Sequence, residues 1–363
     1  MPFDLQPTDE QRVLQETLHD FAAEALRPAA RECESAHQTS EEIFRQAHEI
    51  GVTAPVDESY GGAGLFDAVT HCIVAEELAW GDPGIAYYLI GSGLAAVVVG
   101  QAGTDKQKQA HLPAFGDANP VKSFVALGEK IATGDLESLD TAVDGDKVSG
   151  TKYGVLNATD AALGIVVGRT GDQLGAVLVD ASVDLDVVKP EDKLGLEAAP
   201  TSVVNFALAA DAIPSSAELT NAILRAKLLT GALAVGCARA SLEYASQYAI
   251  EREAFGKPIG AFQGISFKIA EMAIEVDAAR LSVWRAAWKL DRGEATLSDI
   301  AEANGQALSA AVRCGDDGVQ VLGGHGYIRD HPVEKWFRDA VTLSVFDAPD
   351  AVGDMMVARG VHV

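Results

Sequence analysis

The chain has 363 residues, 48% of them hydrophobic, and 28 basic residues against 53 acidic ones give a formal net charge of −25. That length exceeds a single hydrophobic core and predicts two or three layers or domains. A surface this acidic repels nucleic acid and anionic membrane, so neither is expected as a partner, and an anionic ligand needs a local basic pocket.

The start, MPFDLQPTDEQR, puts acidic and polar residues where a secretory signal would be apolar. No run reaches the roughly 18 apolar residues of a membrane span. Cys33, Cys72, Cys237 and Cys314 are far apart and have no C-x-x-C spacing. They read as reduced, buried thiols of a cytoplasmic protein. No metal site is expected, because His325 and His331 have no paired ligand.

Thr8, with Gln11 three residues on, is a helix start, and Leu14, Leu18, Phe21 and Leu26 keep helical spacing until Pro28. A second helix is expected from Ser40 to Gly51, with Ile43, Phe44, Ala47 and Ile50 on one face. Tyr60-Gly61-Gly62-Ala63-Gly64 is a loop. Ala68 to Trp80 is helical again, Pro83 opens an Ala/Leu/Val-rich helix, and a short helix near Lys106 ends at Leu112-Pro113.

The texture changes at about Pro120. Short β-type runs at 123–127, 141–143, 147–150, 164–168, 176–180 and 202–206 are separated by Gly, Asp and Thr turns, as in a compact barrel or sandwich. Helix returns at about Ser216. Asn221 to Ile250, Phe262 to Gly293, Ser298 to Leu322 and Val333 to about Val345 form a four-helix bundle whose apolar faces favour oligomerisation. The fold expected is α+β, with an N-terminal α-helical domain (1–118), a middle β-barrel domain (119–214) and a C-terminal four-helix bundle (215–363).

Within this order, Glu251-Arg252-Glu253-Ala254-Phe255-Gly256-Lys257-Pro258-Ile259, Gln263, Gln320-Val321-Leu322-Gly323-Gly324-His325-Gly326-Tyr327 and Arg338-Asp339-Ala340 strongly resemble the acyl-CoA dehydrogenase family. The likeness covers nearly the whole chain. It implies FAD and oxidation of an acyl-CoA thioester to a trans-2-enoyl-CoA, a carboxylate removing the α-proton while hydride leaves the β-carbon. It also implies an FAD shared across a subunit interface, with the bundle of one subunit holding the adenine end. Arg252 would then neutralise the pyrophosphate, Phe255 would pack on the cofactor, and Gln263, Gln320, Gly323 and Gly324 would complete the contacts. The residue types agree, since Arg matches phosphate oxygens and glycines let backbone N–H groups approach them. The bland alternatives are Arg252 paired with Glu251 or Glu253, Phe255 in a core, and Gly323-Gly324 as a helix C-cap.

Three departures from the family point one way. The flavin-side Thr-Glu-Pro-Gly-Ala-Gly-Ser-Asp becomes the segment Leu127 to Asp135, without its hydroxyls. Gly-x-Lys-x-Trp-Ile-Thr-Asn becomes Gly150 to Asn157, with Gly154 for the ring-flanking tryptophan and Leu156 for the hydroxyl donor. The position of the catalytic Glu is Asp347, one methylene shorter and followed by Pro349; a displacement of about 1 Å costs on the order of a hundredfold in rate. The family's other base position falls on Ala226, and its neighbouring arginine on Lys227, which keeps charge but not the planar fork. The resemblance therefore narrows to the non-catalytic partner of an α2β2 heterotetramer, with a paralogous subunit carrying the catalytic Glu and a bulky, steroid-type acyl-CoA as substrate. The rivals are a self-sufficient homotetramer using Asp347 and a flavin-free acyl-CoA-binding scaffold.

Overall fold

The computed structural model describes residues 6–62, 64, 66–130, 135–180, 183–347 and 357–358, and for Asp347 the backbone alone. Helices α1 (Asp9–Phe21), α2 (Arg27–Ala36), α3 (Glu41–Glu49), α4 (Ala68–Gly81), α5 (Pro83–Ala102) and α6 (Asp105–His111) form the first domain. The expected start is a full capping box: Thr8 Oγ1 accepts from Gln11 N–H, and Gln11 Oε1 accepts from Thr8 N–H. One expectation fails at Pro28. A π-turn over Ala22–Leu26 joins α1 to α2, and Arg27 N–H reaches back to Ala22 O. Pro28 then sits in the first turn of α2, where a missing N–H costs little. Helices α5 and α7 (Ala217–Glu251) are long and apolar enough to cross a bilayer, yet most of each is buried within the chain, as core helices are.

The middle domain is an eight-stranded mixed sheet: β1 (Ser123–Ala126), β2 (Ala142–Asp144), β3 (Lys147–Leu156), β4 (Leu163–Thr170), β5 (Gln173–Asp180), β6 (Asp186–Pro190), β7 (Thr201–Ala209) and β8 (Asp211–Ile213). Its order is β6-β7-β3-β2-β4-β5-β8, with β1 pairing β4 in parallel. The sheet curls enough for Phe124 of β1 to meet Phe206 of β7, ring centroids 6.4 Å apart, around a core of Val148, Val166, Val177 and Val204. Strands β6 and β8 escape the sequence pattern, being short and mostly exposed.

The bundle follows: α7, α8 (Gln263–Asp291), α9 (Leu297–Leu322) and α10 (Val333–Asp347). Between α7 and α8 lies a hairpin of β9 (Glu253–Ala254) and β10 (Lys257–Pro258). The alternating direction of these helices brings the end of α7, the start of α8, the end of α9 and the start of α10 to one end of the bundle.

The three domains meet at one buried charge cluster. Lys335 Nζ of α10 lies 2.5 Å from Asp82 Oδ2 and 2.8 Å from Asp339 Oδ2, all three side chains almost wholly buried. Asp82 Oδ1 also caps α5 at Ile85 N–H (2.9 Å), and Asp339 Oδ1 accepts from Leu196 N–H in the β-domain (2.7 Å). Burial works against the Lys335 charge, but Asp339 and Asp82 together outweigh it and raise its pKa. Removing one member of such a cluster strands the others uncompensated. Lys335→Ala is expected to lower unfolding free energy by about 3 kcal/mol or more, read by urea denaturation; a loss under ~1 kcal/mol would mean that the cluster holds nothing together.

Candidate functional site

Two places carry the sequence-predicted residues, and both hang on α7. The first is a cavity of about 310 Å³ where the three domains face one another. Tyr87, Ile90, Gly91 and Leu94 of α5 form one wall, and Ala226, Lys227, Leu229, Thr230 and Leu233 of α7 form another. The β-domain adds Val125, Leu127 to Lys130, Tyr153, Gly154, Leu156 and Glu191, and α10 closes it with Val345 and Phe346. The lining is mainly apolar, so water is a poor occupant and an acyl chain a good one.

Of the predicted departures, Leu127 to Lys130, Gly154, Leu156, Ala226 and Lys227 line this cavity. Gly154 has φ +67 at an irregularity in the β3–β7 register, and a Cβ there would meet nothing within 4 Å. Its N–H donates to Glu191 Oε2 at 3.0 Å, pinning a carboxylate to the wall where the resemblance puts a tryptophan. Leu156 packs into Gly91 so closely that a Cβ on Gly91 would lie 2.5 Å from Leu156 Cδ2. Lys227 is buried on the α7 wall, its backbone carbonyl accepting from Asn304 Nδ2 at 2.9 Å. Asp347 follows Phe346 at the last position of α10, but its side chain lies outside the described residues, as do Ile131–Gly134 of the flavin-side segment and Pro349.

Sequence reasoning gave no role to the cavity's buried ion pair. Lys152 Nζ lies 2.7 Å from Glu129 Oε1, which also accepts from Thr141 N–H (3.0 Å) and Thr141 Oγ1 (2.6 Å), while Oε2 accepts from Asp140 N–H (2.6 Å). Burial pushes the Glu129 carboxyl up, but Lys152, Thr141 and the Asp140 N–H outweigh it and leave it below its ordinary value. On Lys152 the balance falls the other way, burial outweighing the pull of Glu129. The carboxylate's direction is the firmer one, because four donors converge on it. Glu129 is therefore a structural anion and a poor base. Alternating β3 residues could have marked Lys152 as inward, but its partner sits in a loop with no periodic signal.

The second place is the far end of α7, roughly 35 Å from Lys227 at ~1.5 Å per residue. Arg252 caps α7, its N–H donating to Tyr248 O, and its guanidinium is exposed with no ion pair among the described residues. Glu251 instead accepts from Gln247. Phe255 is no core residue: it is 97% exposed, at the tip of the β9–β10 hairpin. Its φ is +54 and that of Gly256 is +80, the signs a two-residue type I′ turn demands. A phenylalanine there is strained by about 1–3 kcal/mol, with only an edge contact to Phe262, centroids 6.2 Å apart. Gln263 is exposed at the first position of α8. Gln320 Nε2 donates to Tyr327 Oη at 3.1 Å. Gly323 does end α9 as a C-cap, with φ +59. Both Gly323 and Gly324 are exposed, and a Cβ on either would meet nothing within 4 Å. The bundle thus gathers all six at one end, presenting an unpaired guanidinium and bare backbone to solvent. That half fits a dinucleotide diphosphate; the cavity's ring-side wall, with Gly154, Leu156 and a carboxylate, offers a flavin ring little.

Comparison with known proteins agrees with the architecture. Residues 8–118 match the acyl-CoA dehydrogenase N-terminal domain, and residues 219–362 match the acyl-CoA dehydrogenase C-terminal domain. A probable acyl-CoA dehydrogenase of Bacillus subtilis is 30% identical across 99% of both chains. The benzylmalonyl-CoA dehydrogenase of Aromatoleum aromaticum is 32% identical across 99% of this chain and all of its own length. The solved butyryl-CoA dehydrogenase of Megasphaera elsdenii superposes with a TM-score of 0.85 at 27% identity, covering 99% of each chain.

The Glu129–Lys152 pair gives a pH prediction. A carboxyl held below its unfolded value contributes stability that is present above about pH 4.5 and fades as pH falls through the folded value. Lys152→Met removes the main opposing charge, so its acid-unfolding midpoint, followed by circular dichroism, is expected at higher pH than the parent's. Adding Glu129→Gln should bring the midpoint back; unchanged midpoints in both variants would contradict the assignment.

Proposed function

The chain belongs to the acyl-CoA dehydrogenase family, and from that premise we propose that it is the non-catalytic subunit of an FAD-dependent acyl-CoA dehydrogenase. In this reading it grips the adenine end of an FAD shared with a paralogous subunit, and that subunit supplies the glutamate base of an α2β2 assembly. The observation that carries it is the separation along α7. The diphosphate-ready end lies about 28 Å along one rigid helix from Leu233, the nearest α7 residue of the cavity, so a dinucleotide gripped there would carry its ring away from this chain's own cavity. A second chain must complete each site. An apolar stripe supports such a partner: Phe267, Ile274 and Leu281 recur every seventh residue on α8 and are exposed, the spacing of an interhelical seam.

When bound, the FAD supplies a hydride acceptor. This chain's own part is to hold and to exclude. Arg252 would take diphosphate oxygens in a forked, charge-assisted contact, and the exposed, side-chain-free turn at Gly323 and Gly324, whose Gly323 N–H is already given to Gln320 O, would let the diphosphate approach the backbone closely. The cavity between α5 and α7 would shelter an apolar group from water, while in this reading the proton is removed in the paralogous subunit's own site. Neither described carboxylate of the cavity serves as base: Glu129 is locked to Lys152, and Glu191 to Gly154 N–H. A bulky, steroid-type acyl-CoA in the cytoplasm fits the apolar lining and the four buried free cysteines.

One observation favours a second reading. Val345 and Phe346 line the cavity, and this supports Asp347, the next residue of α10, as the base of a self-sufficient enzyme.

Expression of the chain alone and with a paralogous subunit separates the readings by flavin absorbance and acyl-CoA-dependent dye reduction. Flavin and turnover are expected only on co-expression. Arg252→Ala should weaken flavin retention about tenfold or more, as loss of a charged hydrogen bond does, and Asp347→Asn should leave the complex active. Flavin bleaching by the single chain, abolished by Asp347→Asn, would transfer the role of base to this chain.

A further inference from the structure

Tyr244 and Tyr248 stand one turn apart on α7, and each holds a histidine from the turn that follows α9. Tyr244 Oη lies 2.8 Å from His331 Nδ1, and Tyr248 Oη lies 2.7 Å from His325 Nδ1. The two imidazoles stack, centroids 5.5 Å apart and planes 25° from parallel. Both tyrosine rings stand edge-on to them, Tyr248 at 90° to His325 and Tyr244 at 71° to His331. The inner end of this set is anchored, since Tyr244 also packs edge-on against the buried Trp336. The outer end is His325, and it is exposed.

A phenol is a stronger acid than a neutral imidazole, so the tyrosine donates and the ring keeps its proton on Nε2. Among the described residues, His325 Nε2 has no hydrogen-bond partner. His325 is thus latched at one nitrogen and stacked on His331, and it is exposed to solvent. Such a ring is a rigid platform, already ordered before anything binds. It follows directly on Gly324, and Tyr248, which latches it, is the residue whose carbonyl accepts the Arg252 N–H. The platform therefore adjoins the candidate diphosphate groups at the same end of the bundle.

We propose that the exposed imidazole of His325 takes the adenine ring of the dinucleotide, extending the His331–His325 stack by one ring. The inference rests on the cofactor-gripping reading above and adds to it a residue and a mode of recognition. Stacking asks only for a π-face, and needs no cation in a chain whose net charge is strongly negative. Arg252 and the Gly323–Gly324 backbone hold charge; His325 holds the base.

The test is FAD affinity, followed by quenching of flavin fluorescence in whichever assembly carries flavin, this chain alone or with its paralogous subunit. His325→Ala should bind FAD about tenfold more weakly, whereas His325→Phe, which keeps a flat ring, should stay within a few-fold of the parent. Tyr248→Phe, which frees the ring to rotate, should fall between them. AMP should compete with FAD less well in His325→Ala than in the parent. Equal weakening in His325→Ala and His325→Phe would overturn the stacking role in favour of the Nδ1 latch as a structural bond. If Arg252→Ala loses flavin and His325→Ala does not, the platform is wrong and the cofactor reading survives. If no assembly holds flavin at all, both fall together.

Discussion

The ammonium of Lys335 lies between two buried carboxylates, and each of those is already in use elsewhere. Asp82 caps α5, and Asp339 takes the N–H of Leu196. The same contact needs Gly195, since a Cβ there would lie 2.3 Å from the carbonyl oxygen of Arg338. One charge therefore fixes how close the β-domain comes to α10, and how α10 lies against α5. Those three elements also wall the cavity, through Tyr87 to Leu94, through Glu191 and through Phe346. Around the core, Arg338 reaches Glu34 and Leu194 O, and Arg31 reaches Glu34 and Glu334. These outer pairs keep some solvent access, their side chains 10–32% exposed, and are screened more than the fully buried cluster, which carries the registration.

Helix α7 sets the second constraint. It is 35 residues long and buried along most of its length, which makes it a ruler rather than a spring. Small residues permit this: a Cβ at Gly236 would lie 2.2 Å from the Glu76 carbonyl oxygen, so α4 rests directly on the α7 backbone. Next to that contact, Arg239 bridges Glu76 and Glu77 while Arg280 holds Glu76 from α8. A helix clamped this way keeps its two functional ends at a fixed distance. The cavity and the β9–β10 hairpin then move as one body.

The elements that read correctly from sequence are those whose signals are local. Thr8, Ser40 and Ser216, read as helix starts, each cap a helix by accepting from a nearby backbone N–H, and Asp67, Thr104 and Thr296, not among the expected starts, do the same. Arg252, Phe255, Gln263, Gln320, Gly323 and Gly324 were legible only as members of a motif, and the antiparallel bundle explains why positions 252 and 323 converge. What failed to show were long-range partners. Glu129 finds Lys152 across a loop, Lys335 finds Asp82 across most of the chain, and His325 meets Tyr248 between two helix ends. No periodicity encodes such pairs. Pro28 misled for a different reason: the rule that proline ends a helix assumes an unbroken i→i+4 ladder, and a π-turn resets the ladder just before it.

Gly154 shows that the altered ring wall is a change of backbone as well as of side chain. Its φ of +67 falls where the β3–β7 register slips between Lys152 and Val155. The slip turns the Gly154 N–H toward Glu191 and leaves Val155 fully buried on the sheet's inner side. A bulky L-residue in that conformation costs roughly 1–2 kcal/mol before it makes any contact, a cost that a re-registered strand would relieve. Re-registration would break the Glu191 contact and disturb Leu156, which is fitted against Gly91 of α5. The wall, the strand register and the helix contact thus form one unit that resists piecemeal reversal. The other end of α7 is less committed: Gly323 caps α9 and Phe255 meets only the edge of Phe262, while Gly324 is open and Arg252 has no ion pair among the described residues. Strain and unpaired charge without an internal beneficiary are what a binding surface for something outside the chain requires.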